Sequence, residues 1–365
     1  MKSNKIKPIA FYLPQYHQIP ENDEWWGEGF TEWMNVKRAK PFFKEHNQPL
    51  EPLEYYDLSD NTVMHKQIKQ AKEYNIFGFC FHYYWFNEKR LLEKPIENFL
   101  KDKSEEANFP FMLCWANENW TRRWDGLEED ILIGQEHSID DHEKVAKDLV
   151  RYMKDERYIK VNGKPVLILY RPDIIKHLSY LLVAIKDEAR KEGIKGVYIL
   201  ATTSFGKQLN HTDGLDGIVE FPPHFPNDHN FARVLNSDSL PTLSIENIGH
   251  KGEVFDGEKT VDLMCRYYYH AKDLNTNYYP CCFPSWDNTA RKMENSHVFA
   301  NMSTKVFKKW LSSAAEFTKI VNEEDSQFVF INAWNEWAEG AILEPDKKNG
   351  YKNLEVVREV MNEQK

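Results

Sequence analysis

Residues 327–340 read Gln-Phe-Val-Phe-Ile-Asn-Ala-Trp-Asn-Glu-Trp-Ala-Glu-Gly, an apolar run that passes directly into polar residues. A short, nearly continuous apolar run is typical of a parallel strand that is buried on both faces. Similar runs precede it along the 365-residue chain, at residues 9–13, 78–84, 109–115, 165–170, 196–201, 217–221 and 279–283. We therefore interpret the quoted stretch as the last of eight buried strands.

Helical patterns lie between most of these runs. Met64, Ile68 and Ala71 recur at helix spacing, and Asp60 precedes them as the expected N-cap. Strands that alternate with helices predict a parallel sheet, and eight such units predict an α/β fold, the closed (β/α)8 TIM barrel. An open doubly wound sheet is the alternative, although no glycine fingerprint follows the first run.

We expect a single catalytic domain over residues 1–365. No linker rich in Pro, Gly or Ser divides the chain, and no internal repeat is evident. The long segments 16–58 and 222–258 predict elaborated βα loops, which build the active face of a barrel.

Composition narrows the class of partner. The net charge of -10 argues against nucleic acid or an anionic membrane surface. Aromatic residues make up 14% of the chain, which suits a cleft whose rings stack on sugars. Five cysteines without framework spacing indicate reduced thiols. The N-terminus does not resemble a signal peptide, and no run of about 18 apolar residues predicts a membrane span. We therefore expect a cytoplasmic protein with a carbohydrate substrate.

The end of the last run carries two acidic residues, Glu336 and Glu339, three positions apart. On a continuing strand they would point to opposite faces, whereas on a turn they share a face with Cβ atoms about 5–6 Å apart. Cleavage of a glycosidic bond needs two carboxyl groups, which lie about 5–5.5 Å apart in retaining enzymes. We therefore predict that Glu336 and Glu339 are the catalytic pair, with Asn335 and Trp337 at the substrate.

Polar and aromatic side chains also end other runs, and the carboxyl ends of barrel strands meet at one face. The further residues that we expect to bind substrate are Tyr12, Gln15, His17, His82, Tyr84, Trp85, Trp115, Asn117, Glu118, Trp124, Tyr170, Arg171, Glu220 and Trp286. Glu118 is an alternative acid/base. Arg171 either binds an anionic group or pairs with Glu220.

Several other chemistries lack their motifs. No His-Glu-x-x-His or Cys-x-x-Cys pattern marks a metal site, and no Asp-x-Asp pair is present to anchor a metal-bound nucleotide sugar. The chain has neither a Walker glycine loop nor a Gly-x-Ser-x-Gly elbow. We expect no metal and no cofactor.

Four stretches resemble the WbsX-type family: Ile-Ala-Phe-Tyr-Leu-Pro-Gln-Tyr-His at 9–17, Trp-Gly-Glu-Gly-Phe-Thr-Glu-Trp at 26–33, Trp-Ala-Asn-Glu-Asn-Trp at 115–120 and Trp-Asn-Glu-Trp-Ala-Glu-Gly at 334–340. That family is named as a glycosyltransferase of bacterial polysaccharide gene clusters. It is also described as having a domain like glycoside hydrolase family 99. The resemblance spans nearly the whole chain.

The resemblance implies specific roles for the acidic pair. Family 99 members are (β/α)8 endo-α-mannosidases and α-mannanases, and their Asn-Glu-Trp-x-Glu-Gly motif is matched by residues 335–340. By that likeness Glu339 is the general acid/base, and Glu336 is the base that helps the sugar's own 2-hydroxyl attack the anomeric carbon. Configuration is retained through an anhydrosugar, without a metal. Ala338 stands where family 99 commonly has His.

These observations favour a retaining glycoside hydrolase that acts on a polysaccharide. The alternative is a glycosyltransferase of bacterial surface polysaccharide biosynthesis, making lipopolysaccharide O-antigen or capsule. A third hypothesis is a glycan-binding barrel without turnover. Binding of a nucleotide sugar would distinguish the glycosyltransferase from the glycoside hydrolase.

Overall fold

The structure is a computed structural model that describes residues 6–122, 127–203, 214–224, 240–244, 248–270 and 276–364.

Parallel strands form the wall of a barrel. They are β1 (Lys7–Tyr12), β2 (Gly78–Phe86), β3 (Phe111–Trp115), β4 (Lys164–Leu169), β5 (Tyr198–Thr202), β6 (Gly217–Val219), β7 (Tyr278–Tyr279), β8 (Cys281–Cys282) and β9 (Phe328–Ile331). Neighbours pair in the order β7-β6-β5-β4-β3-β2-β1-β9-β8.

The two ends of this sheet belong to one stretch of chain. β7 pairs with β6, and β8 pairs with β9. Pro280 separates them, because proline has no N–H for a sheet hydrogen bond. The eight predicted strands are thus present, with the seventh divided in two. The sheet is nearly closed, which confirms the predicted TIM barrel.

Helices surround the barrel and also fill its long loops. They are α1 (Pro20–Trp26), α2 (Glu32–Arg38), α3 (Asn61–Glu73), α4 (Lys94–Lys101), α5 (Ile139–Met153), α6 (Leu178–Lys191), α7 (Gly257–His270), α8 (Thr289–Lys292), α9 (Thr304–Val321) and α10 (Lys352–Glu363). Asp60 caps α3 by accepting a hydrogen bond from the Thr62 amide at 2.9 Å, as predicted.

Several short strands lie in the loops. Lys89–Leu91 is antiparallel to β2, and Lys160–Val161 is antiparallel to β4. Three further pairs lie outside the barrel: Trp120–Arg122 with Leu127–Ile133, Val254–Asp256 with Val298–Ala300, and Asn335–Glu336 with Ala341–Ile342. The last pair carries the predicted catalytic residue Glu336, and Glu339 lies in the turn that joins its two strands.

Aromatic rings fill the barrel interior. Phe11 of β1 packs edge-on against Phe221 at 4.9 Å between ring centroids and stacks on Phe330 at 5.5 Å. The next residue, Tyr12, points the other way and donates a hydrogen bond to Gln67 of α3. This alternation decides which strand residues face the barrel axis and which face the helices.

The predicted long loop at residues 16–58 carries α1 and α2. The interval after β5, where no helix is predicted, falls largely in residues 204–213, outside the described residues. Within the described residues, no helix combines the length and the apolar character that a bilayer crossing requires.

Candidate active site

A hairpin after β9 places Glu336 and Glu339 on one turn. Asn335–Glu336 pairs antiparallel with Ala341–Ile342, and a 3-10 turn over Trp337–Glu339 joins the two strands. In a 3-10 turn, residues three apart lie one above the other. Glu336 and Glu339 are therefore joined by a turn and not by a continuing strand.

The loop after β8 fixes the end of this turn. The Asp287 amide donates to the Glu339 carbonyl at 2.7 Å, and the Ser285 hydroxyl donates to the Gly340 carbonyl at 2.6 Å. Gly340 has a φ of +63°, and a Cβ there would lie 2.9 Å from backbone atoms of Asp287. A glycine is required by both the left-handed conformation and the close approach.

Arg291 of α8 binds both carboxylates. Its Nη2 donates to Oε1 of Glu336 at 2.9 Å, and its Nη1 donates to Oε1 of Glu339 at 2.5 Å. The arginine side chain is only 13% exposed. The two carboxyl groups therefore converge on one guanidinium.

A third carboxylate shares this arginine. Glu32, the first residue of α2, accepts from Nε at 3.2 Å and from Nη2 at 2.8 Å, which is a forked arrangement. Glu32 also accepts from the Asn35 amide at 3.1 Å and is 1% exposed. Its position at the beginning of a helix favours its negative charge.

Burial controls the protonation of the pair. It raises the pKa of Glu336 well above the usual carboxyl value and raises that of Glu339 as well; Arg291 opposes both shifts. The Glu336 side chain is 8% exposed and that of Glu339 is 24% exposed. Glu339 is thus the more accessible of two interacting carboxyl groups, which titrate as a unit.

Several predicted residues lie around this pair. The Gln15 amide donates to the Tyr84 hydroxyl at 3.3 Å, and burial, followed by the charge of Glu336, raises the pKa of that hydroxyl. His82 stacks on Phe11 inside the barrel and acts electrostatically on Glu339. Tyr170 does so too, since burial and then the charges of Glu118 and Glu339 raise its pKa.

Three predicted residues face the surrounding helices instead. Tyr12 bonds to Gln67 of α3, and the Trp85 indole donates to Asp141 of α5 at 2.8 Å. Glu220 accepts from the hydroxyls of Tyr268 and Tyr278, at 2.7 and 2.8 Å, and from the Cys281 amide at 3.0 Å.

Two predicted asparagines bind backbone. Asn335 accepts from the Leu13 amide at 2.8 Å and donates to the Leu13 carbonyl at 2.9 Å. Asn117 makes the same pair of contacts with the backbone of Arg171, both at 2.7 Å. These side chains join loops across the top of the barrel. The Trp337 indole likewise donates to the buried carboxylate of Glu344 at 2.8 Å.

Arg171 donates hydrogen bonds to two carboxylates. It donates to Glu118 at 2.6 Å, and to Asp173 at 2.7 and 2.9 Å. A pairing of Arg171 with Glu220 stays a prediction. The Glu118 side chain remains 25% exposed, so it still borders solvent.

The remaining predicted residues are buried or undescribed. His17, Trp115 and Trp286 are each at most 5% exposed, and their ring nitrogens have no hydrogen-bond partner among the described residues. Trp124 lies outside the described residues. A role for any of these residues at the substrate stays a prediction.

Sequence reasoning missed Arg291. It lies in a polar stretch with no motif around it, and only the fold brings its four-residue helix to the turn. Glu32 could have been found from the sequence, because it stands within the stretch 26–33 that resembles the WbsX-type family. Tyr16 also joins the site, where its hydroxyl accepts from the Trp337 amide at 3.1 Å.

The described part of the chain holds no group of three or more His, Cys, Asp or Glu side chains that could bind a metal ion. The turn itself carries two carboxyl groups beside an arginine.

Solved structures with a similar fold are known. An endo-α-mannosidase of glycoside hydrolase family 99 from Bacteroides thetaiotaomicron aligns with a TM-score of 0.60 over 98% of this chain and 96% of that one, at 15% identity. A glycoside hydrolase-like protein aligns with a TM-score of 0.63 over 98% and 94%, at 13% identity. At these identities the likeness shows the fold alone, which is a TIM barrel.

The family follows from the sequence. The model of the family "Glycosyltransferase WbsX" matches residues 8–357, and the chain belongs to that family. The protein WxcX of Xanthomonas campestris pv. campestris strain B100, named as uncharacterized, is 38% identical over 359 residues. The match covers 97% of this chain and 49% of WxcX, so the chain spans about half the length of that relative.

Proposed function

We propose that this chain is a retaining glycoside hydrolase that acts on a polysaccharide, with Glu339 as general acid/base and Glu336 as the assisting base. The observation that carries the proposal is the convergence of the two carboxyl groups on Arg291 at the end of the last barrel strand. The carboxyl ends of barrel strands are where enzymes of this fold place their chemistry.

The different environments of the two groups support separate roles. Glu339 is more exposed, so it can reach the glycosidic oxygen and donate a proton to the leaving group. Glu336 is deeper and accepts the proton of the substrate's 2-hydroxyl, whose oxygen then bonds to the anomeric carbon. In the second half, Glu339 removes a proton from water as that water opens the anhydrosugar, and Glu336 returns its proton to the 2-oxygen.

An arginine beside both groups is compatible with this scheme. A carboxylate sealed against a permanent cation is ordinarily a structural ion pair. Here, however, the guanidinium is shared with Glu32, and burial still raises the pKa of both members of the pair. A raised pKa keeps one group protonated closer to neutral pH, which an acid catalyst requires.

The experiment is a digestion screen of bacterial and yeast polysaccharides, α-mannans included, and aryl glycosides. Product anomers are followed by NMR immediately after cleavage. The proposal expects release of sugars whose configuration matches the substrate. Turnover that persists in a Glu336→Gln, Glu339→Gln double variant would refute it, and the exposed Glu355→Gln variant is the control.

A glycosyltransferase is the second candidate, because the family carries that name. The same two carboxyl groups would serve, with a sugar hydroxyl in place of water as the acceptor. Three carboxylates around one arginine form an unfavourable environment for the diphosphate of a nucleotide sugar. Calorimetry with a panel of nucleotide sugars separates the candidates: saturable binding favours the transferase, and its absence together with hydrolysis favours the hydrolase.

A further inference from the structure

The carboxylates that bind Arg291 outnumber its single positive charge. Among the described residues, three carboxylates (Glu32, Glu336 and Glu339) bind one guanidinium that cannot lose its proton. Glu32 takes the fork of Nε and Nη2, whereas each member of the pair receives a single hydrogen bond. Glu32 is also the most deeply buried of the three.

We infer that Glu32 is a positioning residue that sets the proton count of the Glu336–Glu339 pair. Because Glu32 takes the fork of Arg291, its negative charge offsets part of the arginine's positive charge, and the pair is left only partly compensated. Two close, buried carboxylates cannot both stay ionised without compensation, and they retain one proton between them. Arg291 meanwhile holds the two carboxyl groups in one orientation.

The scaffold around Glu32 supports a fixed role rather than an incidental contact. Asn35, one turn further along α2, donates to the same oxygen that accepts from Nε. Trp33 packs against Trp337 of the catalytic turn at 5.7 Å between ring centroids. The helix that carries Glu32 is thus docked directly on the turn that carries the pair.

Other titratable groups face the pair from neighbouring elements. They are Tyr16 in the loop after β1, His82 and Tyr84 on β2, and Tyr170 after β4. Burial raises the pKa of the three tyrosine hydroxyls, so they stay neutral near pH 7. These three tyrosines therefore do not supply or remove the charge that Glu32 contributes, whereas His82 lowers the pKa of Glu339 and acts in the same direction as Arg291.

The test uses the full chain labelled with ¹³C at the glutamate carboxyl carbon. The signals of Glu336 and Glu339 are assigned by their disappearance in single Gln variants, and their shifts are followed against pH. Glu32→Gln removes one negative charge but keeps an oxygen acceptor for Arg291. We expect the higher apparent pKa of the pair to fall by about 1 unit or more. Glu344→Gln is the matched control, a buried carboxylate close by that binds Trp337 and not Arg291.

The reverse substitution makes the test two-sided. Arg291→Gln removes the positive charge and should raise the apparent pKa of the pair, whereas Arg291→Lys should leave it nearer to the wild-type value. If Glu32→Gln moves the pair no further than Glu344→Gln does, the inference is overturned. If Glu32→Gln does not fold, as judged by thermal unfolding, an Arg291→Gln shift in the wrong direction overturns it instead.

The inference rests on the proposed function only for its consequence in catalysis. On a substrate found in the digestion screen, Glu32→Gln should move the high-pH limb of kcat/KM downward by about 1 pH unit. The reason is that an acid with a lower pKa loses its proton, and so stops donating it, at a lower pH. A purely structural role would lower activity at every pH without moving the limb. Absence of any turnover would count against the proposed function and leave the NMR result to decide the role of Glu32.

Discussion

The backbone amide of Asp287 donates a hydrogen bond to the carbonyl of Glu339, with 2.7 Å between nitrogen and oxygen. The side chain of Asp287 accepts from the amide and hydroxyl of Thr289, the first residue of α8, which carries Arg291. One residue therefore couples the turn that carries Glu339 to the helix that carries Arg291. A displacement of either element is expected to disturb the other.

Gly340→Ala tests this coupling. The new methyl group would meet the backbone of Asp287 at 2.9 Å, in a left-handed conformation that alanine disfavours. Gly350→Ala is the matched control, because Gly350 has a φ of +60° with nothing within 4 Å of the added carbon. We expect the control to lose about 1 kcal/mol of unfolding free energy, measured with urea, and Gly340→Ala to lose clearly more. Equal losses would show that the Asp287 contact yields without cost.

Asn335→Ala tests whether this residue supports the fold. The substitution would leave the buried amide and carbonyl of Leu13 without their side-chain partner. We expect a loss of about 2–4 kcal/mol in unfolding free energy. The exposed Asn61→Ala variant should change it little. A fully stable Asn335→Ala variant that loses only affinity for a glycan would instead make Asn335 a substrate-binding residue, as the sequence first suggested.

Glu336→Gln should stabilise the protein, and more so at higher pH. A carboxyl group whose pKa is raised in the folded state contributes stability at low pH and loses it as pH rises through the folded pKa. The glutamine side chain of the variant carries no charge, so the variant does not lose this stability as pH rises. We expect the gain in unfolding free energy to be about 1 kcal/mol or more larger at pH 8 than at pH 4. A gain that does not change with pH would mean that Arg291 fully compensates the buried charge.

The barrel was predictable because each strand is a compact apolar run, and buried parallel strands have that pattern whatever their loops do. The division at Pro280 was not predicted, since the run 279–283 reads as continuous in composition. The sequence also did not predict which face of its strand each residue occupies. Both faces of such strands are apolar, so the pattern does not separate Phe11, inside the barrel, from Tyr12, against α3.

The candidate site was predictable where consecutive residues carry it. Glu336 and Glu339 stand in one short motif, although their spacing left open whether a strand or a turn joins them; the structure has the turn. Arg291 and Glu32 lie 259 positions apart, on helices that only the folded barrel brings together. Long-range ion pairs of this kind leave no periodic pattern, so their role had to come from the structure.

The central claim is that Glu336 and Glu339 work as one acid/base pair. The most direct measurement is kcat of the two single Gln variants on a polysaccharide or aryl glycoside that the wild type cleaves. We predict that each variant loses a factor of about 10² to 10⁴ while remaining folded. We also predict that the double variant is hardly worse than the poorer single one, because residues that act as a unit are not additive. Either single variant retaining wild-type turnover would contradict the account.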